Sequence, residues 1–299
     1  MMSKIWIVAA ALMLQGSLAL GHEMERAAVD GGEVEYEVHG SGEPVLLIHG
    51  AHIADAFAPL MGQAALDEYQ LIRYRRRGYA GSVPAEGPPE DFVRQAAADA
   101  AAVLDHLGID HAHIAGHSSG GTIALQLAMD HPERVGSLLL LEPALLMVES
   151  GEQFGAKLQP SVDHYEAGEP GAAVDSFMTV VAGDRWRELS PESMPGAAEQ
   201  AGTDAATFFE LEAPGVMAWQ MDEGSIDGFD RPVLYLWGGE SGTVIGIEDV
   251  YRQGRDLVKS WLPQTQEHYI EGINHALQMQ DPTAVAEGMA AFLRANPLP

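Results

Sequence analysis

At 299 residues, with 46% apolar side chains, the chain is long enough for one large α/β domain with a substantial core. Its 44 acidic against 16 basic residues leave a formal net charge of −28, a surface that repels polyanions and argues against nucleic acid or anionic membranes as partners. The absence of cysteine excludes disulfides, zinc–thiolate centres and cysteine nucleophiles.

Residues 1–21 read as a signal peptide: Lys4, an apolar run from Ile5 to Leu14, then the small residues around Ser17-Leu18-Ala19. Export, secreted or periplasmic, is the expectation, with no stable membrane association once the signal is removed. A natural start at Met24 would instead leave the protein cytoplasmic. Val34 to His39 alternates as an edge strand, and Pro44 to Ile48 is the continuous apolar run of a buried parallel strand, stopped by His49-Gly50. A helical stretch is expected from there to about Leu66. Leu71 to Tyr74 is a further strand, followed by Arg75-Arg76-Arg77, a cluster expected to form a turn tied to nearby carboxylates.

Phe92 to Leu107 has helical spacing and ends at Gly108. A strand over His111–Gly116, a helix over Ser119–His131 and a strand over Val135–Leu141 follow. Such alternation predicts a mostly parallel sheet with helices on both faces. The regularity breaks at Glu142-Pro143 and resumes with a strand at Pro232–Trp237. The intervening residues, 144–230, carry short helical stretches such as Ala172–Val181 and Ala205–Leu211 and are expected to form a helical cap. The core is then residues 25–143 and 231–299. A helix near Ile247–Leu262, a strand near His268–Ile270 and a helix over Thr283–Ala295 close the chain.

One turn concentrates the chemistry. Gly116-His117-Ser118-Ser119-Gly120 matches G-x-S-x-G, in which a serine projects from a strained strand-to-helix turn. Four segments fall at the carboxyl ends of strands, where open α/β sheets bind ligands: His49-Gly50-Ala51, Ser118, Glu142 and the loop holding His275. A serine hydroxyl needs a base, for which His275 is the natural candidate, and the base needs a carboxylate to hold its tautomer.

With these residues in place the chain resembles the α/β-hydrolase superfamily from about Val34 to Leu293. The resemblance rests on Leu47-Ile48-His49-Gly50, Arg77-Gly78-Tyr79-Ala80-Gly81-Ser82, Gly116-His117-Ser118-Ser119-Gly120-Gly121, and Gly272-Ile273-Asn274-His275 followed by Asp281-Pro282. It implies an α/β-hydrolase fold with a helical cap insertion. It also implies Ser118 as nucleophile, His275 as base, an oxyanion hole from the backbone N–H groups of Ala51 and Ser119, and no cofactor or metal. Family members commonly carry the acid three residues beyond the glycine that here is Gly238; that position is Ser241, with Glu240 beside it. A subset, including haloalkane dehalogenases, places the acid directly after the preceding strand, which here is Glu142. Glu142 is the first choice and Glu240 the second.

The implied substrate is a small or medium carboxylic ester or a lactone, with amide and C–C bond hydrolysis left open. Serine at position 118 argues against dehalogenase and epoxide hydrolase chemistry, which in relatives uses aspartate there. A reading from another class is a non-catalytic module that binds a small ligand under the cap; the intact Ser118 and His275 pair argues against it. His111, His113 and His117 lack a further ligand cluster and read as structural rather than metal-binding. His49 reads as a hydrogen-bonding residue beside the oxyanion turn, and His52 as a neighbour of the pocket mouth.

Overall fold

The computed structural model describes residues 24–189, 192–242 and 249–298; the expected signal peptide, residues 1–21, lies outside them. Eight strands form one sheet: β1 (Glu25–Val29), β2 (Gly32–His39), β3 (Glu43–Ile48), β4 (Tyr69–Tyr74), β5 (Ala112–His117), β6 (Val135–Leu141), β7 (Val233–Gly238) and β8 (Thr265–Ile270). Their order is β1-β2-β4-β3-β5-β6-β7-β8. The pairings β1–β2 and β2–β4 are antiparallel, and all the others are parallel.

Successive side chains of a strand point to opposite faces, so a strand covered on both sides must be apolar throughout. That is why β3, β6 and β7 read as unbroken apolar runs. Leu46, Ile48, Leu138, Leu140 and Tyr235 enter the core on one face, with α1 (Phe92–His106) and α2 (Ser119–Asp130). Val45, Leu47, Leu139, Leu141, Leu234 and Leu236 enter the core on the other, against Val285, Met289 and Phe292 of the C-terminal helix Pro282–Ala295.

Three local expectations are corrected. The edge strand is β1, not Val34–His39. A two-residue turn at Asp30-Gly31, with Gly31 at φ +78°, pairs β1 to β2, and β1 buries a single side chain, Ala27, so it carries no alternation to read. The stretch from His49 to Leu66 holds only two 3₁₀ turns, Ala58–Leu60 and Ala64–Leu66, because Pro59 and Gly62 deny a continuous helix its hydrogen bonds and its rigidity. Strand β8 starts at Thr265 rather than near His268. It lies at the other edge of the sheet, where polar Gln266 and Glu267 face water and blunt the exposed rim.

Between β6 and β7 lie α3 (Gly151–Lys157), α4 (Gln159–Glu166), α5 (Pro170–Ala182), α6 (Ala197–Thr203) and α7 (Ala213–Ala218). Thr207–Glu212 forms a π-helical turn where an ordinary helix was expected. The apolar sides of these helices, including Phe154, Phe177, Val181 and Phe208, pack with Ile53 and Ala56 from the loop after β3. The same cluster takes in Val250 and Tyr251 of α8 (Asp249–Trp261) and Met279 of α9 (Leu277–Gln280); Pro282–Ala295 is α10. No described helix is long and apolar enough to cross a membrane.

Each arginine of the triplet meets a carboxylate, as the composition of the turn suggested. Arg75 pairs with Asp55 and Glu35, Arg76 with Glu212, and Arg77 with Asp99.

Candidate active site

Strand β5 delivers the chain into the elbow and α2 carries it away. Ser118 sits between them at φ +53°, ψ −124°, outside the regions open to an ordinary L-residue. A backbone in such a region costs of order 1–3 kcal/mol and persists only where its surroundings hold it. They do here: the Ser118 N–H donates to Leu141 O at 3.0 Å, and its carbonyl accepts from Gly121 at 2.8 Å and Ala144 at 3.0 Å. The glycines at 116 and 120 are there for space. A Cβ on Gly116 would lie 2.3 Å from Gly120 O, and one on Gly120 would lie 2.1 Å from Ile48 O.

The carboxylate that meets His275 belongs to Glu142, which directly follows β6 and also has a positive φ, +43°. His275 Nδ1–H donates to Glu142 Oε2 at 2.7 Å, and Glu142 is wholly buried. An unpaired carboxylate in that setting would be costly, and this one is paired at both oxygens. Oε1 accepts from the Gly238 N–H at 2.8 Å and from the Ser241 hydroxyl at 2.7 Å. Ser241, weighed from sequence as a vacant acid position, therefore acts as a donor to Glu142. Glu240 is exposed, and its backbone N–H donates to Ile273 O; its side chain is not the partner of His275.

His275 is held on several sides. His117 donates Nε2–H to the His275 carbonyl at 2.7 Å. The Tyr251 ring stacks on the His275 imidazole at 4.6 Å with an interplanar angle of 20°. The preceding Asn274 ties its loop to the end of α5 through Nδ2 donating to Ala182 O at 2.8 Å. With Nδ1–H committed to Glu142, the lone pair of His275 lies on Nε2, the nitrogen that can accept a proton.

The two N–H groups expected to face an oxyanion come from Ala51 and Ser119. Ser119 is the first residue of α2, whose opening amides have no intrahelical acceptor. Among the described residues, neither N–H donates to a protein acceptor. His49 is the hydrogen-bonding residue beside this turn that its position suggested. Its Nε2 accepts from the Arg76 N–H at 2.9 Å and its Nδ1–H donates to Gly50 O at 2.7 Å.

Ser118, Ser119, Ala51 and His275 line one cavity with Leu145, Phe154, Phe177, Val216 and Tyr251. The space between its lining atoms is about 630 Å³, open solvent at the mouth included. Exposed Met217 also borders it. A smaller recess lies on the other side of Ser118, walled by Gly50, His117, Met178 and Met279.

The other histidines are dispersed. His113 bonds Ser137 Oγ at 2.7 Å and Glu43 at 3.1 Å, away from His117, which serves His275. His52 is not at a pocket mouth. It is buried at φ +62° among the rings of Phe177, Phe208 and Phe209, with no partner for either ring nitrogen among the described residues.

Burial pushes His52 down to about 3, and holds His49 and His117 well below the usual imidazole range, helped by the charge of Arg76 and by His275 respectively. The unfolded chain protonates these rings near pH 6.5 while the fold keeps them neutral, so below that pH the unfolded state binds more protons. Their stabilisation is complete above about pH 6.5 and is lost as pH falls toward the folded values, by up to about 1.4 kcal/mol per pH unit for each ring. His52→Phe fits the aromatic box and removes one titrating group. Urea unfolding at pH 7.5, 6.5 and 5.5 is expected to show a shallower acid decline in this variant than in wild type; parallel curves would refute the assignment.

The family described as alpha/beta hydrolase fold matches residues 43–165. An esterase of known structure from Thermogutta terrifontis superposes with a TM-score of 0.71 at 21% identity, over 91% of this chain and 98% of its own. The enol-lactonase from Burkholderia xenovorans superposes with a TM-score of 0.72 at 20% identity, over 90% of this chain and all of its own. The chain has the α/β-hydrolase fold. Among curated relatives of this chain is RutD of Caulobacter vibrioides, whose name proposes carbamate hydrolysis. It is 40% identical over 123 residues, 40% of this chain and 44% of its own length. A fluoroacetate dehalogenase from a Burkholderia species is 35% identical over 144 residues, 44% of this chain and 46% of its own. The match thus spans less than half the length of either relative.

Sequence reasoning missed Ser241, Tyr251 and Glu212. Ser241 was weighed only as a vacant acid position. Tyr251 reaches His275 through the packing of α8, and Glu212 lies far along the chain between β6 and β7, so neither carries a local signal.

Proposed function

We propose that the protein is a serine hydrolase that cleaves a small or medium carboxylic ester, or a lactone, through an acyl-enzyme on Ser118. The observation that carries this reading is the 2.7 Å bond from His275 to a buried Glu142, in a loop that shares an apolar cavity with the strained Ser118. Ser118 Oγ attacks the carbonyl carbon as His275 Nε2 takes its proton. The charge that develops on the carbonyl oxygen is met by the N–H groups of Ala51 and Ser119. His275 returns the proton to the leaving alkoxide, and water repeats the sequence to release the acid. The Glu142 carboxylate, bonded to Nδ1–H, stabilises the imidazolium.

The apolar lining suits a compact uncharged acyl group, and the names of the superposed esterase and enol-lactonase point the same way. A dehalogenase reaction like that named for the Burkholderia relative is disfavoured, because displacement of halide by Ser118 Oγ would leave a stable alkyl ether, with no acyl group for water to hydrolyse. The test is labelling by a fluorophosphonate probe together with a p-nitrophenyl ester series from acetate to palmitate, repeated with lactones, carbamates and arylamides. Labelling and a preference for short or medium acyl chains are expected. Folded protein that is neither labelled nor active would favour the non-catalytic binding module.

A further inference from the structure

Beside the elbow lies a buried ion pair that the steps above leave unused. Arg76, just after β4, is 1% exposed, and Glu212, at the end of the π-helical turn in the cap, is 0% exposed. Arg76 Nη2 donates to Glu212 Oε1 at 2.8 Å and to the Gly50 carbonyl at 2.9 Å. The same carbonyl accepts from His49 Nδ1–H at 2.7 Å. The peptide unit held in this way is Gly50–Ala51, whose N–H is that of Ala51. Glu212 Oε1 also accepts from the hydroxyl of Ser119, and Oε2 accepts from the hydroxyl of Tyr79. One carboxylate from the cap therefore touches the side chain of one oxyanion donor and, through Arg76, the peptide of the other.

We propose that Arg76 and Glu212 are positioning residues for the oxyanion hole, an inference that rests on the acyl-transfer reading of Ser118. Two donors act together only if their peptides hold a common aim while charge appears, and fixed partners remove the reorganisation that would otherwise be needed. Hydrogen bonds to a peptide oxygen also draw electron density from its nitrogen and strengthen the N–H as a donor, the more so when one partner is cationic. Arg76 and the neutral His49 both act on Gly50 O in this sense. A buried ion pair is weak as a device for stability alone, since apolar replacement of both partners is often neutral. Here the pair joins residues 136 apart in sequence and ends on both donors.

The experiment compares full-length wild type with Arg76→Lys, Glu212→Gln and the double variant Arg76→Met/Glu212→Gln, which leaves no lone buried charge. For each, kcat and KM on the best p-nitrophenyl ester are measured per active site titrated by fluorophosphonate, with the Ki of a matching trifluoromethyl ketone and the Tm. The ketone forms a charged tetrahedral adduct with the nucleophile and so reads the oxyanion hole directly. The double variant is expected to lose about 10²–10³ in kcat with little change in KM, and to weaken the ketone by a similar factor. Arg76→Lys, which keeps the charge but not the Nη2 group that bonds both Glu212 and Gly50 O, is expected to lose less. A lower Tm or fewer titratable sites, with kcat per site and Ki unchanged, would overturn the proposal and leave the pair purely structural. Should the double variant not fold, the two single variants decide by the same readouts. Wild type that is neither labelled nor active overturns the acyl-transfer reading instead, and this inference with it.

Discussion

Ser118→Ala is expected to lower kcat by about 10⁴–10⁶ and to abolish fluorophosphonate labelling, with Tm unchanged. The hydroxyl is the only atom removed, and alanine can occupy the same backbone conformation, because the hydrogen bonds that hold φ at +53° all run through the main chain. Activity above the uncatalysed rate should persist, since the Ala51 and Ser119 N–H groups and the apolar cavity remain. The measurement is single-turnover and steady-state hydrolysis of a p-nitrophenyl ester beside intact-mass analysis of the probe-treated protein. A labelled alanine variant would move the nucleophile to another residue.

Glu142→Gln is expected to cost about 10⁴ in kcat while the protein stays folded, and Glu240→Gln to leave turnover within about twofold. The reason lies in the tautomer. Gly238 N–H and the Ser241 hydroxyl both donate to Oε1, so the amide oxygen of a glutamine takes that place and its NH₂ faces His275 Nδ1. Nδ1 must then carry a lone pair, the ring proton moves to Nε2, and the base toward Ser118 is lost. Glutamine is nearly isosteric and uncharged, so the loss should appear in kcat rather than in Tm. Glu240 is exposed and its side chain lies outside this arrangement. Equal losses in both variants, or full activity in Glu142→Gln, would place the acid elsewhere.

Much of this site was legible before any coordinate. The elbow is readable because close backbone approach at Gly116 and Gly120 admits no side chain, which leaves a glycine signature in the sequence. The buried strands are readable because burial on both faces demands an unbroken apolar run, as in Val45–Ile48 of β3 and Leu138–Leu141 of β6. Glu142 was legible as an oddity, a carboxylate at the end of such a run. What misled were weakly encoded elements: β1 with one buried residue, and the segment after His49, whose apolar residues suggested a helix although Pro59 and Gly62 prevent one. His52 was misplaced because a polar residue after a turn gives no hint of three phenylalanine rings arriving from α5 and the π-helical turn.

The sequence by itself determined the fold class, the elbow serine, the histidine and the order in which they occur, because each is imposed by a local steric or periodic requirement. Only the tertiary structure brought Glu142 rather than Glu240 to His275, turned Ser241 from a vacant position into a donor to Glu142, and joined Arg76 and Glu212 beside Gly50 and Ser119. Those are contacts between segments 96 to 136 residues apart, set by where strand ends meet loops and the helices between β6 and β7, and no local pattern records them.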